Sequence, residues 1–429
     1  MPRTIKSAPG LPPEALGDIR DTVQIMLARI RAGGEATAQD YARTLDGWTR
    51  PIPVPQHDIT AAETKIPPAL KEALHYAHDN IRAFAKAQRA SLTEFETALR
   101  PGLIAGQKVI PVSAAGCYVP GGRYAHIASA LMTIATAKAA GVRHITACAP
   151  PREGGIDPAT LYAMRLAGAD TILAIGGVQA VAAMAFGLFG TPEADILCGP
   201  GNAYVAEAKR QLFGPTGIDM IAGPTDIAIL ADQTADPQRL ALDLIGQAEH
   251  GPTSPCWLIT DDADTARQTL QAIPQTLALL PEPNRTAART AWDAMGEILL
   301  CADREEMART ADRYAPEHLH VQAADLPWWR DRLTAYGSLF LGENTTVAFG
   351  DKASGPNHVL PTSGAARHTG GLSVHKFLKT VTYQRVTDAA LPDLARATAT
   401  ISHAEGMTGH ALTAEARLPR PPLPRVVNS

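Results

Sequence analysis

The spacing of apolar residues changes near residue 109 of this chain. Before that point, segments 19–30 and 69–92 carry apolar residues at helical intervals, and the prolines of 51–55 form a stiff connector between them. After it, short apolar runs alternate with helical stretches, with Gly and Pro at many of the junctions. The pattern predicts an N-terminal helical segment over residues 1–108, followed by alternating strands and helices.

The alternating part predicts parallel β-sheets with crossover helices, arranged as two α/β units. Its predicted strands are 144–149, 171–175, 196–198, 226–231, 256–260, 297–301, 318–321 and 338–341. Its predicted helices are 127–140, 158–166, 178–189, 237–249 and 263–273. Segment 351–383 is rich in Gly, Pro, Thr, His and Ser, which is typical of a functional loop, and 389–416 is mostly helical.

Composition indicates an ordinary soluble globular protein. The 429 residues, 45% of them hydrophobic and 19% charged, suffice for two or three domains. The formal net charge of −4 argues against a nucleic-acid partner, and no apolar stretch is long enough to cross a bilayer. The N-terminus lacks the apolar core of a signal peptide, and the five dispersed cysteines form no CxxC pair. We therefore expect a cytoplasmic protein with buried thiols and with no membrane partner.

Three glycine-rich turns follow predicted strands of the first α/β unit, at 118–122, 176–179 and 199–202. Ligands of open α/β sheets bind outside the carboxyl ends of the strands, where glycine lets backbone N–H groups approach a phosphate. For any single turn, ordinary turn chemistry is the better explanation. Three such turns in one unit favour a nucleotide or phosphate site, although the chain has neither a GxGxxG fingerprint nor a P-loop.

A second group of polar residues has the chemistry of a metal or catalytic site. Gln247 and His250 lie three residues apart on a predicted helix and so share one helix face. With downstream residues they could give zinc a mixed set of nitrogen and oxygen ligands. The downstream residues are Asp351, His358, Glu405 and His410. Glu317 and His318 place a carboxylate beside an imidazole, a pair that can move protons near neutral pH. Each residue alone also has a simple structural explanation, and only their joint occurrence favours an active site.

From about residue 109 onward, and more loosely before it, the chain resembles the histidinol dehydrogenase family. The matching segments are 118–122, 137–141, 199–206, 217–224, 247–250, 315–318, 350–351, 357–362 and 405–406, with His410. These segments are long and stand in the order that the family has, so chance is a poor explanation.

The resemblance implies two incomplete Rossmann-like domains, one of them discontinuous, with N-terminal helices and a small C-terminal tail domain. Residues 1–108 would contain the helices and begin the first α/β domain, 109–225 would bind NAD, and 226–375 would complete the first α/β domain with the zinc and catalytic residues. Residues 376–429 would form a helical tail that reaches the partner subunit of a homodimer with shared active sites. The implied reaction uses one zinc per subunit and two molecules of NAD to oxidise a small primary alcohol to its carboxylate, through an enzyme-held aldehyde.

The resemblance also implies a role for each matching residue. The implied zinc ligands are Gln247, His250, Asp351 and the partner subunit's His410. The implied proton-transfer pair is Glu317 and His318. Tyr118, Gln179 and Asn202 match positions that contact NAD, and Thr225, His358 and Glu405 match positions that contact substrate.

Some positions depart from the usual pattern of histidinol-oxidising members. Arg123 and His126 follow the Pro-Gly-Gly turn, and segments 366–372 and 376–385 look more like a branch of paralogues that includes sulfopropanediol dehydrogenase. The expected substrate is therefore either (R)-2,3-dihydroxypropane-1-sulfonate, giving 3-sulfolactate, or L-histidinol, giving L-histidine. Arg123 and His126 would suit an anionic substrate group, but Arg123 could equally bind an NAD phosphate or lie on the surface.

Two other classes of function remain open from the sequence. A zinc-dependent hydrolase that does not use NAD could employ Glu317 or Glu249 to activate a metal-bound water. That alternative leaves the three glycine-rich turns without a purpose. A non-catalytic α/β ligand-binding module is the second alternative, and the intact Glu317–His318 pair argues against it.

Overall fold

The computed structural model describes residues 2–10, 17–121, 125–221 and 223–418. The chain forms two compact units, each discontinuous in sequence. The first combines Met1–Arg89 with Pro111–Phe377, and the second combines Ala90–Ile110 with Leu378–Ser429. The α/β fold class predicted from the sequence is confirmed, while the predicted domain boundaries at 108, 225 and 375 stay predictions. Within the described ranges, no helix is both long and apolar enough to cross a membrane.

Strands and helices alternate through most of the chain. In chain order, the strands are β1 (Arg3–Lys6), β2 (Phe95–Arg100), β3 (Leu103–Pro111), β4 (Ala114–Tyr118), β5 (His144–Ala149), β6 (Thr171–Ala174), β7 (Ile196–Cys198), β8 (Gly217–Ile218), β9 (Ile227–Ala231), β10 (Cys256–Thr260), β11 (Gly296–Leu300), β12 (His318–Gln322), β13 (Ser338–Leu341) and β14 (Leu378–Val386). The helices are α1 (Gly17–Asp46), α2 (Gln56–Thr64), α3 (Pro68–Ala90), α4 (Ile127–Ala140), α5 (Pro158–Ala167), α6 (Gly177–Ala185), α7 (Ala203–Leu212), α8 (Pro237–Ala248), α9 (Ala263–Leu279), α10 (Asn284–Met295), α11 (Arg304–Tyr314), α12 (Leu326–Arg332), α13 (Val347–Lys352), α14 (Leu391–Ala404) and α15 (Thr408–Glu415). Short 3₁₀ turns cover Ala365–Arg367 and Val374–Phe377.

The first sheet is parallel and has the order β6-β5-β4-β7-β8. The chain runs outward from β4 through β5 to β6, then returns to the other side of β4 with β7 and β8. The strand order therefore reverses between β4 and β7, and ligands of such sheets bind outside the carboxyl ends of the strands at this reversal. Tyr118 ends β4, and the turn at 199–202 follows β7.

The second sheet has the order β1-β11-β10-β9-β12-β13 and is parallel except for its edge strand β1. Successive residues of β9 point to opposite faces, so Ile227 and Ile229 pack on one side and Ala228 and Leu230 on the other. Helices α8, α9 and α10 cover the first face, and α11 and α12 cover the second. Buried apolar side chains on both faces explain why β9 is a continuous hydrophobic run.

The second unit contains a three-stranded sheet, β14-β3-β2, and a helical pair, α14 and α15. Small side chains form the contact of the two helices: Ala395, Ala399, Ala411 and Ala414. The sequence analysis did not predict β2, β3 or β14, and it treated 1–108 and 376–429 as helical. All six residues of β2 are exposed, and eight of the nine in β14 are, so neither strand carries the alternation that marks a half-buried strand.

A buried ion pair fixes the turn that follows β7. Lys209 of α7 pairs with Asp219, and both residues are only 3% exposed. Lys209 Nζ also donates to Gly199 O at 3.0 Å, and Gly199 N donates to Asp219 Oδ2 at 2.8 Å. Gly199 has a φ of +111°, and a Cβ at this position would lie 2.0 Å from Tyr118 O. The ion pair thus holds a turn that only glycine can form against the end of β4.

We predict that Lys209→Met lowers the free energy of unfolding by about 3–5 kcal/mol, because the charge of Asp219 would stay buried without its partner. Urea unfolding followed by circular dichroism measures the loss. The matched control is Arg267→Met, which removes an exposed partner of Asp264 and should change stability little. A loss below about 1 kcal/mol for Lys209→Met would contradict a structural role for the pair.

Candidate active site

The candidate catalytic residues of the first unit lie at the amino ends of β9 and β12. Thr225 precedes β9, and Glu317 and His318 stand at the start of β12. Gln247 is in the last turn of α8, His250 follows that helix, and Asp351 lies in α13. The second sheet therefore presents these groups at the strand ends opposite to those that usually bind ligands, which the sequence alone does not predict.

Glu317 is a buried carboxylate held by hydrogen bonds. Its Oε2 accepts from Thr225 Oγ1 at 2.6 Å and from Asp226 N at 3.1 Å. Thr225 Oγ1 in turn accepts from Gln247 Nε2 at 2.7 Å, so one hydroxyl joins the amide to the carboxylate. Burial raises the pKa of Glu317 to about 7, although His318 and the Thr225 hydroxyl oppose the rise. A carboxyl with such a pKa can take or give a proton at neutral pH.

His318 is 2% exposed and lies between two carboxylates. Its Nδ1 donates to Asp226 O at 2.9 Å and lies 3.6 Å from Glu317 Oε2. Its Nε2 has no hydrogen-bond partner and lies 3.4 Å from Asp351 Oδ1. Burial lowers the pKa of His318, but Glu317 and Asp351 outweigh it and raise the pKa to about 9. The two carboxylates thus keep His318 as an imidazolium at neutral pH, and its Nε2 can accept a proton only in the neutral form that predominates above about pH 9.

His250 and Asp351 have the orientation expected of metal ligands. His250 Nδ1 donates to Gln247 O at 3.1 Å, which leaves Nε2 as the acceptor atom, 3.8 Å from Asp351 Oδ2. A backbone carbonyl that fixes the second ring nitrogen in this way is usual for metal-binding histidines. Burial would raise the pKa of Asp351, but His318, His358 and His250 lower it below its ordinary value.

Among the residues that the structure describes, no group of three or more His, Cys, Asp or Glu side chains is arranged to hold a metal ion. The implied zinc set contains only two such residues in the first unit, His250 and Asp351. Its other members are the amide of Gln247 and His410 of the second unit. The donor types and the fixed His250 tautomer fit zinc, and the first unit supplies part of the set.

His358 is bound at both ring nitrogens. Its Nδ1 donates to Asp351 O at 2.7 Å, and its Nε2 accepts from Ser129 Oγ at 3.0 Å. Burial lowers the pKa of His358, although Asp351 opposes the change. The sequence analysis missed Ser129, whose only signal is a hydroxyl in the otherwise apolar start of α4.

A cavity of about 250 Å³ opens beside these groups. His318, Asp351 and His358 form part of its wall, and Phe340 and Asn357 form another part. The cavity is small, which suits a compact polar molecule.

Of the two residues expected to bind an anion, Arg123 lies outside the described residues. His126 is the N-terminal cap residue of α4. Burial, together with the charges of His358, Lys352 and His250, lowers the pKa of His126 to about 4. His126 is therefore neutral at neutral pH and can offer a hydrogen bond but no charge. Lys352, the last residue of α13, supplies a positive charge there that the sequence analysis did not assign.

Of the three residues expected to contact NAD, Tyr118 and Asn202 lie where the first sheet reverses its strand order, and Gln179 lies at the start of α6, which is hydrogen-bonded to Tyr118. Tyr118 OH accepts from Gly177 N at 3.2 Å, and Asn202 Oδ1 accepts from Val205 N at 3.1 Å as the cap of α7. Gln179 is 2% exposed, and its Oε1 has no hydrogen-bond partner. An unpaired buried acceptor is costly unless a ligand satisfies it, so Gln179 fits a site for a hydrogen-bonding ligand.

Glu405 and His410 belong to the second unit, where both are exposed. Glu405 ends α14, and His410 lies in α15.

Asp226, which was predicted only as the start of a strand, is also a hydrogen-bond partner of Glu317 and His318. Its Oδ1 accepts from Glu317 N at 2.7 Å, and burial raises the pKa of Asp226 to about 6.

We predict that Thr225→Val destabilises the protein by about 1–3 kcal/mol, because Glu317 and Gln247 each lose a buried hydrogen bond. Thr225→Ser keeps the hydroxyl and is the matched control, with an expected loss below about 1 kcal/mol. Thermal and urea unfolding measure both variants. A loss of stability for Thr225→Ser as large as that for Thr225→Val would contradict a stabilising role specific to the hydroxyl.

A sequence model of the histidinol dehydrogenase family matches residues 12–418. A histidinol dehydrogenase homolog from Ruegeria pomeroyi is 71% identical over 415 residues, which cover 96% of this chain and 96% of the relative. Sulfopropanediol 3-dehydrogenase from Ruegeria pomeroyi is 60% identical over 402 residues, covering 94% and 92% of the two chains. The crystal structure of histidinol dehydrogenase from Elizabethkingia anophelis superposes with a TM-score of 0.90 at 33% identity, covering 95% of this chain and 94% of that one.

Proposed function

This chain belongs to the histidinol dehydrogenase family, and we propose that it is a zinc- and NAD-dependent dehydrogenase that oxidises a small polar primary alcohol to its carboxylate. The observation that carries the proposal is the buried Glu317–His318 pair beside His250 and Asp351. A hydrolase without NAD would need no nucleotide site, whereas Gln179 presents an unpaired acceptor at the carboxyl ends of the first sheet.

His318 is the proposed base for the alcohol proton. Its Nε2 is free of hydrogen bonds and can accept that proton in the neutral imidazole, which requires alkaline pH because Glu317 and Asp351 raise the pKa of His318 to about 9. Glu317, with a pKa near neutrality, would then take a proton from the water that hydrates the aldehyde. Each of the two oxidation steps sends one hydride to one NAD, and the water supplies the second oxygen of the carboxylate.

Zinc would be held by Gln247, His250 and Asp351, together with the partner subunit's His410. When bound, the ion polarises and orients an oxygen of the substrate. Gln247 is the weakest donor of this set, so we expect the metal to be removable by chelators. Tyr118, Gln179 and Asn202 would bind NAD, and Thr225, His358 and Glu405 would contact substrate.

We further propose a homodimer with shared active sites, because the second unit exposes large apolar side chains. Among them are Phe95, Leu99, Val381, Tyr383, Ile401 and Leu412, with exposures of 36–62%. Apolar surface of this kind is typical of an interface. Cytoplasmic location stays a prediction, supported by five free and buried cysteines.

For the substrate, we favour an anionic alcohol such as (R)-2,3-dihydroxypropane-1-sulfonate over L-histidinol. The sulfopropanediol 3-dehydrogenase is 60% identical, and the Elizabethkingia histidinol dehydrogenase is 33% identical. The positive charge of Lys352 lowers the pKa of both His126 and His358. Among the described residues, none forms a salt bridge with Lys352. An unpaired ammonium near the proposed substrate residues would attract a sulfonate or carboxylate.

We predict that zinc-loaded protein forms two NADH per molecule of the sulfonate, measured by absorbance, with little turnover of L-histidinol. Glu317→Gln should lower kcat by about 10²–10⁴-fold, because the variant loses the acid–base group. Glu343→Gln, a half-buried carboxylate paired with Arg239, is the control and should keep full activity. Product formed without NAD would instead support a hydrolase.

Lys352→Met should raise KM for the sulfonate about tenfold while kcat changes little, because charge attraction acts in binding. Lys352→Arg keeps the charge and should restore most of the affinity. With an uncharged alcohol, propane-1,2-diol, all three proteins should have similar KM values. Equal effects of Lys352→Met on both alcohols would contradict a role in recognising the anion.

A further inference from the structure

Asp46 carries a carboxylate that does not stabilise the helix to which it belongs. It is the last residue of α1, and Gly47, with a φ of +65°, follows it. A negative charge at the carboxyl end of a helix opposes the helix dipole, so this position is unfavourable for α1 alone. Asp46 is exposed, and its hydrogen-bond partner lies outside α1.

The partner of Asp46 lies at the start of α6. Gln179 Nε2 donates to Asp46 Oδ2 at 3.0 Å. The backbone N–H of Gly177 donates to Tyr118 OH. One N–H group that could bind a phosphate at this helix start is therefore already engaged by the protein.

The amide of Gln179 connects Asp46 to the proposed nucleotide pocket. Its nitrogen is used by Asp46, whereas its buried oxygen has no partner. A Cβ on Gly177, which has a φ of +62°, would lie 3.0 Å from this oxygen, so the amide lies directly over the turn. The place thus offers acceptor atoms, Gln179 Oε1 and the Asp46 carboxylate, which suit hydroxyl groups better than phosphates.

From this arrangement we propose that Asp46 is a specificity-determining residue that makes the pocket favour NAD over NADP. The inference rests on the proposed function, because it requires a nicotinamide dinucleotide at this edge of the first sheet. A ribose hydroxyl would donate to the carboxylate, and a 2′-phosphate at the same place would be repelled by it.

A purely structural role is the competing explanation, since a carboxylate also stabilises the start of α6. The two roles differ in what they predict for the two nucleotides. Loss of a structural cap would weaken binding of NADH and NADPH by the same factor, whereas loss of a repelling charge would change their ratio. Repulsion from an exposed carboxylate is also screened by salt, which a cap effect on the ratio would not show.

The test is direct binding without alcohol substrate. NADH and NADPH are titrated separately into the zinc-loaded wild type, Asp46→Asn and Asp58→Asn, and nicotinamide fluorescence gives the dissociation constants. Asp58 is the matched control, because it is a nearby carboxylate in α2 that pairs with Arg50 and does not contact Gln179. Asp46→Ser is the second variant, and thermal unfolding confirms that each protein is folded.

We expect the wild type to bind NADH at least about tenfold more tightly than NADPH, and Asp46→Asn to reduce this ratio about tenfold, mainly through tighter NADPH. Asp58→Asn should leave the ratio unchanged, and higher salt should reduce it only in proteins that keep Asp46. Equal weakening of both nucleotides in Asp46→Asn, or equal affinities in the wild type, would overturn the inference while leaving the dehydrogenase proposal intact. A wild type that binds neither nucleotide would overturn the proposed NAD dependence, and this inference with it.

Discussion

Burying a carboxylate and an imidazole together at the start of β12 is the constraint on which the rest of the first unit depends. Glu317 and His318 are 6% and 2% exposed, so each needs partners that replace water. The parallel pairing of β9 with β12 supplies them, because it brings Asp226 N to Glu317 and Asp226 O to His318. Thr225 adds its hydroxyl. These hydrogen bonds therefore help to fix the register of β9 against β12, and the same pair is the proposed proton-transfer pair.

The same constraint explains the polar face of a buried strand. Side chains alternate along β12, so His318, His320 and Gln322 share the face opposite to Leu319 and Val321. Helix α8 covers the polar face and contributes hydrogen bonds from two successive turns. Asp243 accepts from Gln322 at 2.7 Å, and Gln247, four residues later, reaches the Thr225 hydroxyl. The packing that satisfies the strand therefore also delivers Gln247 and the following His250 to the candidate metal site.

Sequence alone could predict the elements with a clear period and the residues that match the family's motifs. It could not predict groups whose importance comes from strand pairing. Asp226 and Ser129 contact the site only because a neighbouring strand or loop comes close, and neither has a signal in its own segment. The exposed strands β2 and β14 were missed for a related reason, since uncovered strands need no apolar alternation. The position of Glu317 at an amino end also required the actual strand order.

The two sheets of the first unit place the proposed cofactor site and the proposed proton-transfer pair at opposite strand ends. The first presents Tyr118 at a carboxyl end, and the second presents Glu317 at an amino end. Helix α4 connects the two places, because it follows β4 and bonds to the loop beside Asp351. Ser129 donates to His358, and Asn357 Nδ2 donates to Met132 O at 2.8 Å. Because α4 follows β4 and is bonded to the loop that carries His358, these hydrogen bonds fix the position of that loop relative to the end of β4.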